Sequence, residues 1–436
     1  MTPGKKPSAY RQALQEPRNV EETGLAHSLL VDMALKTIYT AGELSGQSIA
    51  QALRLPFIGV VDPLLEFLKR KELLRVTGAT GGFGERAYRY TLTSKGNSQT
   101  QSALERSQYV GPTPVTVDEY NAVVRHESVT DVIVRPTHVR EALADYVFSQ
   151  AIFDKIGPAV NSGRSIFLYG PPGNGKTSIA TEIIRMLGGE IHVPYALAAD
   201  GQVIRVFDPV THIPVPTPPE TPKTSGELGH RRPDERWRLV KRPAVTVGGE
   251  LTLTNLDLIY DQVSKTYEAP FQMKANGGVF LIDDFGRQQI HPRDLLNRWI
   301  VPLDTRTDYL TLHTGMKIEV PFEELIVFST NLNPRELVDE AFLRRIRHKI
   351  RVNNPTDREF HEIFQHACQE RNIAYDRKAF AYLLQEHFLK PKRSLKAVYP
   401  RDILDQILDI AIYQGIRPVL SQEMIDQACD AYFVEL

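Results

Sequence analysis

The sequence predicts an α/β fold: a parallel sheet around a phosphate-binding loop, an all-helical unit after it, and a small helical unit with a β-hairpin before it. Three observations carry this. Ser165–Thr177 reads as a short apolar strand, a glycine-rich turn, and Lys176-Thr177 opening a helix that runs over 178–187. Two further apolar runs, 278–282 and 324–328, each end in polar residues, as buried parallel strands do where they reach a ligand. From Pro355 onward the apolar residues recur only at helical spacing, as in Phe360, Ile363, Phe364 and Ala367.

At 436 residues the chain is too long for one core, and about three units are expected. Its 42% hydrophobic and 24% charged composition excludes a disordered chain and a membrane one. A net charge of −1 argues against a globally cationic nucleic-acid binder, although not against a local basic patch. No segment is apolar enough to insert in a bilayer, and the polar start lacks a signal core. The two cysteines, Cys368 and Cys429, read as core thiols, which fits a cytoplasmic location.

In chain order, residues 1–24 contain Pro3, Pro7 and Pro17 among polar residues and are expected to be a flexible tail. Residues 25–95 carry three apolar helical stretches and then two strand-like runs, 73–76 and 88–92, joined by a glycine-rich loop; the order resembles a winged-helix domain. The start of the third helix, 56–63, offers almost nothing to a base or a phosphate, whereas Arg86 and Arg89 on the second strand could touch a backbone. Residues 96–116, rich in Ser, Gln, Pro and Gly, are expected to be a linker. The core then spans 117–354, with an insert at about 190–250, and a helical lid follows over 355–436. Within the core, Ala199-Asp200-Gly201 predicts a hairpin turn, 209–233 a proline-containing loop, 254–267 a helix, and 308–312 with 316–320 a second hairpin.

The stretch Gly170-Pro171-Pro172-Gly173-Asn174-Gly175-Lys176-Thr177-Ser178 is the nucleotide-binding candidate. Its glycines allow the backbone N–H groups to face an anionic phosphate at a helix N-terminus. Lys176 adds a point charge toward the β/γ oxygens, and the Thr177 hydroxyl is placed to ligate Mg²⁺. Asp283, ending the 278–282 strand, is the second Mg²⁺ candidate, and Asp284 stands where a base that activates water belongs.

With these motifs in line, residues from about 130 to 436 resemble an AAA+ ATPase, most closely the MoxR-like branch. The resemblance matches Gly170–Thr177 to the Walker A motif and Gly278–Asp284 to Walker B, with Arg287 as the arginine that follows. It implies that Asn331 is sensor 1, orienting the attacking water. It makes Arg345, or next Arg344, the arginine finger, and Arg401 in Tyr399-Pro400-Arg401 the sensor 2 arginine. Two features depart from the family: Asp284 where a glutamate is usual, and the insert combined with an N-terminal winged helix. The implied function is ATP hydrolysis with Mg²⁺ by a homo-oligomeric ring, a hexamer by the resemblance, that remodels a protein partner. A DNA-handling ATPase and an ATP-binding switch with little hydrolysis remain as alternatives.

Overall fold

The computed structural model describes residues 7–81, 84–216, 232–337 and 340–433. The tip of the first hairpin (82–83), residues 217–231 of the proline-containing loop and Val338-Asp339 ahead of the finger candidates lie outside the described residues, as do both chain ends.

Five strands make the central sheet: β1 (Ser165–Tyr169), β2 (Ala244–Val247), β3 (Val279–Ile282), β4 (Leu325–Thr330) and β5 (His348–Arg351). They are parallel and lie in the order β2-β3-β4-β1-β5. All of β3 and β4 is buried, which is why both read as unbroken apolar runs. Alternate residues face opposite sides. Ile166 and Leu168 pack with Ile179 and Ile183 of the helix Lys176–Leu187, while Phe167 packs with Phe280, Phe328 and Trp299 on the other face. Because β1 lies between β4 and β5, the build direction of the sheet switches there, and ligands collect beyond the carboxyl ends of strands at such a point. The phosphate loop, Asp283-Asp284 and Asn331 all sit on that edge.

A second core lies beside the sheet. Its five strands run Ile259–Asp261, Thr266–Glu268, Gln202–Arg205, Ala196–Ala199 and Val115–Thr116 across the layer. Asp200 (φ 48°) and Gly201 (φ 71°) form the two-residue turn between Ala196–Ala199 and Gln202–Arg205, both in the left-handed region that such a turn requires. The helix expected over 254–267 is instead a short 3₁₀ turn, Leu253–Leu256, and a hairpin, Ile259–Asp261 with Thr266–Glu268. Tyr260, Thr266 and Tyr267 are strand formers, and cross-strand pairing with Ile204 overrides the helical spacing. The hairpin Thr307–Thr311 with Lys317–Pro321 buries Leu310, Ile318 and Val320 in the same core. Its tip is tied down: the His313 N–H donates to Tyr267 Oη at 2.8 Å, and the His313 ring stacks on Tyr260 at 4.4 Å.

The N-terminal unit holds helices His27–Ala41, Gly46–Leu53 and Asp62–Arg70, then strands Leu74–Ala79 and Tyr88–Leu92, around Leu30, Ile38, Ile49, Leu64 and Tyr90. The linker expected over 96–116 is corrected by a helix, Ser94–Arg106, capped by Thr93, whose Oγ1 accepts from the Gly96 N–H at 3.0 Å. Thr100 and Ala103 are buried on its inner face against His27–Ala41. Gly96 suits this helix because a Cβ there would fall 2.1 Å from the Leu73 carbonyl oxygen.

The flexible tail expected over 1–24 is likewise corrected from Pro7 onward. Helix Pro7–Ala13 packs on Val117–His126, and Tyr10 Oη donates to Glu127 Oε1 at 3.0 Å. Beyond it, Arg18-Asn19 crosses the turn before the third N-terminal helix so closely that a Cβ on Gly59 would lie 2.0 Å from the Arg18 carbonyl oxygen. One buried cation stitches these segments together. Arg236, 1% exposed, pairs with Asp234, bonds Glu119 Oε1 at 3.0 Å, and reaches the carbonyl oxygens of Thr23 and Pro114.

The lid comprises Asp357–Glu370, Arg377–Leu383, Tyr399–Gln414 and Gln422–Tyr432 around Phe360, Phe364, Leu404, Ile407 and Ile425. Both cysteines are free and buried there, and burial pushes the Cys368 thiol up to about 11. Among the described residues no single helix is long and apolar enough to cross a membrane.

Candidate nucleotide-binding site

The loop after β1 is shaped by glycines that cannot be replaced. Gly170, Gly173 and Gly175 have φ of 140°, 79° and 83°. A Cβ on Gly170 would sit 2.1 Å from the Val352 carbonyl oxygen, and one on Gly173 would sit 2.8 Å from Val398 Cγ1. The helix Lys176–Leu187 begins directly behind, so its first N–H groups face the loop's concavity. Lys176 is 6% exposed and curls back, its Nζ donating to the carbonyl oxygens of Gly170 at 3.0 Å and Pro171 at 2.9 Å. Burial lowers its pKa while Asp283 and Asp284 pull the other way.

Thr177 Oγ1 donates to Asp283 Oδ2 at 2.9 Å, which joins the loop to the end of β3. The next residue turns sharply. Asp284 has φ 48°, a left-handed conformation that Asp tolerates better than most residues, and its N–H donates to Asp283 Oδ1 at 3.0 Å. Gln288 braces this turn, donating from Nε2 to the carbonyl oxygens of Asp283 at 2.9 Å and Asp284 at 3.2 Å. From the end of β4, Asn331 Nδ2 donates to Asp284 Oδ1 at 3.1 Å. Lys176, Thr177, Asp283, Asp284 and Asn331, spread over 155 positions of sequence from 176 to 331, therefore meet in one place.

They line a cavity of about 660 Å³, within the usual range for small-molecule sites. Its other walls are 145–148, ahead of the helix Gln150–Asn161, and residues of the lid. Arg401 lines it from the lid, its side chain 62% exposed and 3.5 Å from Asp402. Arg344 and Arg345 do not line it. Arg345 closes the short helix Glu340–Arg345 with Nε on Asp304 Oδ2 at 3.0 Å, and Arg344 pairs with Glu340 at 3.4 Å. Arg287 is exposed on the turn after Asp284.

Phe148, His366 and Glu370 are among the lining residues missed in sequence. Phe148 flanks the loop, 3.2 Å from where a Gly175 Cβ would be, and the lid helix Asp357–Glu370 adds His366 and Glu370. The helix period held the signal for the last two, since they lie three and seven positions beyond Ile363, on its face. The Thr177 hydroxyl and the Asp283 carboxylate are hard oxygen donors side by side, the kind of set that holds Mg²⁺ with phosphate oxygens and waters completing its shell.

Comparison with known proteins bears on separate parts of the chain. Residues 356–431, nearly all of the lid, match a family model described as Domain of unknown function (DUF8689). A vesicle-fusing ATPase of Dictyostelium discoideum is 48% identical over 50 residues, which is 12% of this chain and 6% of that protein. Among solved structures, NtrX from Brucella abortus in complex with ADP aligns with a TM-score of 0.39 at 13% identity, over 66% of this chain and 56% of that one. The Thermotoga maritima RuvB Holliday junction branch migration motor aligns at 0.38 and 12% identity, over 68% and 74%. The chain thus spans just over half of the NtrX chain and a small part of the vesicle-fusing ATPase.

The sheet order, the phosphate loop at the switch point and the helical lid define a parallel α/β fold of the P-loop type with a helical unit closing over its nucleotide-binding candidate.

Proposed function

We propose that the chain binds ATP with Mg²⁺ in this cavity and hydrolyses it, acting in the cytoplasm as a ring-forming AAA+ ATPase of the MoxR-like branch that remodels a protein partner. The observation that carries this reading is the convergence of Lys176, Thr177, Asp283, Asp284 and Asn331 on one cavity from three separate loops. Lys176 exchanges its loop carbonyls for β/γ-phosphate oxygens. Asp284, steadied by Asn331, takes the proton of the attacking water, and Asn331 orients that water. Thr177 and Asp283 would hold Mg²⁺, which would supply neutralisation of phosphate charge. Arg401 approaches from the lid. Arg345, outside the cavity of its own chain, serves as the finger for a neighbouring subunit, and such head-to-tail contacts close into a ring.

A protein partner is favoured over duplex DNA by the N-terminal unit, which we read as a winged helix. The turn that leads into its third helix, the element that would enter a groove, is crossed by Arg18-Asn19. Three of its basic residues are engaged within the unit: Arg89 pairs with Glu43 at 2.9 Å, Lys69 with Glu85 at 3.5 Å, and Arg86 lies over the Phe57 ring at 5.4 Å.

The test is phosphate release by the purified chain, with ATP binding followed separately. Lys176→Ala should lose nucleotide binding. Asp284→Asn should bind ATP and turn over at least about 100-fold more slowly, the usual contribution of a positioned base. Normal turnover by Asp284→Asn would remove the assignment of the base. Wild-type binding without turnover would leave the switch in place of the hydrolase.

A further inference from the structure

A phosphate loop cradles its ligand with backbone N–H groups, so the side chain at its apex has no part in that task. Asn174, at this apex, is nevertheless 2% exposed and bonded on both sides of its amide. Nδ2 donates to Asn354 Oδ1 at 2.7 Å and to the Pro171 carbonyl oxygen at 3.4 Å, while Oδ1 accepts from the Ala397 N–H at 3.0 Å. Asn354 lies where the chain crosses from β5 to the first lid helix. Ala397 lies two residues before the lid helix Tyr399–Gln414, whose third residue is Arg401. A parallel bond runs beside this one, from the Val398 N–H to the Gly173 carbonyl oxygen at 2.9 Å, possible because Gly173 has no Cβ to collide with Val398. Joining these three segments takes a donor and an acceptor a fixed distance apart. An amide has both, and a hydroxyl at the same place has no second arm.

We propose that Asn174 is a positioning residue: it fixes the origin of the Arg401 helix against the phosphate loop and so sets where Arg401 enters the nucleotide cavity. The proposal rests on the nucleotide-binding reading above and adds to it a side-chain link between the loop and the lid. Nucleotide affinity comes from Lys176, Thr177 and the loop backbone, so Asn174 acts on turnover through Arg401.

The experiment compares the full-length wild-type chain with Asn174→Ala, Arg401→Ala and the double variant. A fluorescent ATP analogue gives Kd, steady-state phosphate release gives kcat and KM, and hydrogen exchange reads the amides of Ala397 and Val398. Asn174→Ala should keep Kd within about threefold and lower kcat by about tenfold or more, as expected when a reacting group is misplaced by an ångström. The double variant should be no slower than Arg401→Ala, because both remove one function. The amides of Ala397 and Val398 should exchange faster in Asn174→Ala. Losses that multiply in the double variant, a defect confined to Kd, or unchanged exchange at 397–398 would each overturn the proposal. A wild-type chain without turnover would count against the hydrolytic reading alone; the exchange at 397–398 then decides the link by itself.

Discussion

Removing the guanidinium of Arg236 gives the sharpest test of how the N-terminal segments are held to the α/β core. Its Nε bonds both oxygens of Asp234 at 3.1 and 2.8 Å, and Asp234 is itself only 4% exposed. Its contacts to the Thr23 and Pro114 carbonyl oxygens, at 3.5 and 3.3 Å, are long and contribute little. The charge term therefore decides the outcome. Leaving a buried carboxylate without its cation costs about 3–5 kcal/mol. The lower end applies here, because Asp234 Oδ1 keeps the Arg236 backbone N–H at 2.9 Å and Glu119 is partly exposed. A loss of about 3 kcal/mol corresponds to a fall of roughly 6–12 °C in the transition that contains this core. Differential scanning calorimetry of Arg236→Ala measures it. Limited proteolysis at Arg18 should accelerate in parallel as the 7–24 segment loses its anchor. Arg236→Met with Asp234→Asn, which leaves no unpaired buried charge at the pair, should recover more than half of the loss. A shift under about 2 °C, or a double variant no better than Arg236→Met, would refute the charge-based account.

Two further substitutions probe separate features. Glu324 is fully buried, neither carboxyl oxygen has a hydrogen-bond partner among the described residues, and desolvation raises its pKa well above the ordinary 4.5. The folded chain thus holds this proton more tightly than the unfolded one, so its contribution to stability falls as pH rises from about 4.5 toward the raised value. Glu324→Gln should remove that slope, and urea midpoints measured from pH 5 to 8 should diverge in its favour as pH climbs; parallel curves would contradict this. Gly59→Ala places a Cβ 2.0 Å from the Arg18 carbonyl oxygen at a φ of 84°. It should expel Arg18-Asn19 from the turn before the third helix and speed amide exchange across 16–20, with ATP binding untouched; unchanged exchange there would mean that the contact is not tight.

The parts of the site that could be read from sequence were those where chemistry leaves one residue type. Gly170, Gly173 and Gly175 occupy backbone conformations and close approaches that exclude any side chain, and Asp283 and Asp284 end a strand too apolar to be anything but buried. The stretch after the insert was harder. Over 254–267 the apolar spacing suits a helix, and only pairing with the strand Gln202–Arg205, more than fifty positions earlier, makes it a hairpin. The helix Ser94–Arg106 was hidden by a linker-like composition, because its buried face is made of Thr100 and Ala103 rather than large apolar residues. Long-range polar links left no trace in any local window: Asn174 and Asn354 are 180 positions apart, and Arg236 and Thr23 are 213 apart.

The tie between His313 and the Tyr260–Tyr267 hairpin has a mechanical meaning. The hairpin Thr307–Pro321 runs directly into β4, and β4 ends at the residue before Asn331. Bonded at its tip, sharing a core with the insert, and held at its base where Arg306 bonds Glu323 at 2.8 Å, the hairpin is fixed at both ends, so the insert and the strand that leads to Asn331 form one packed unit.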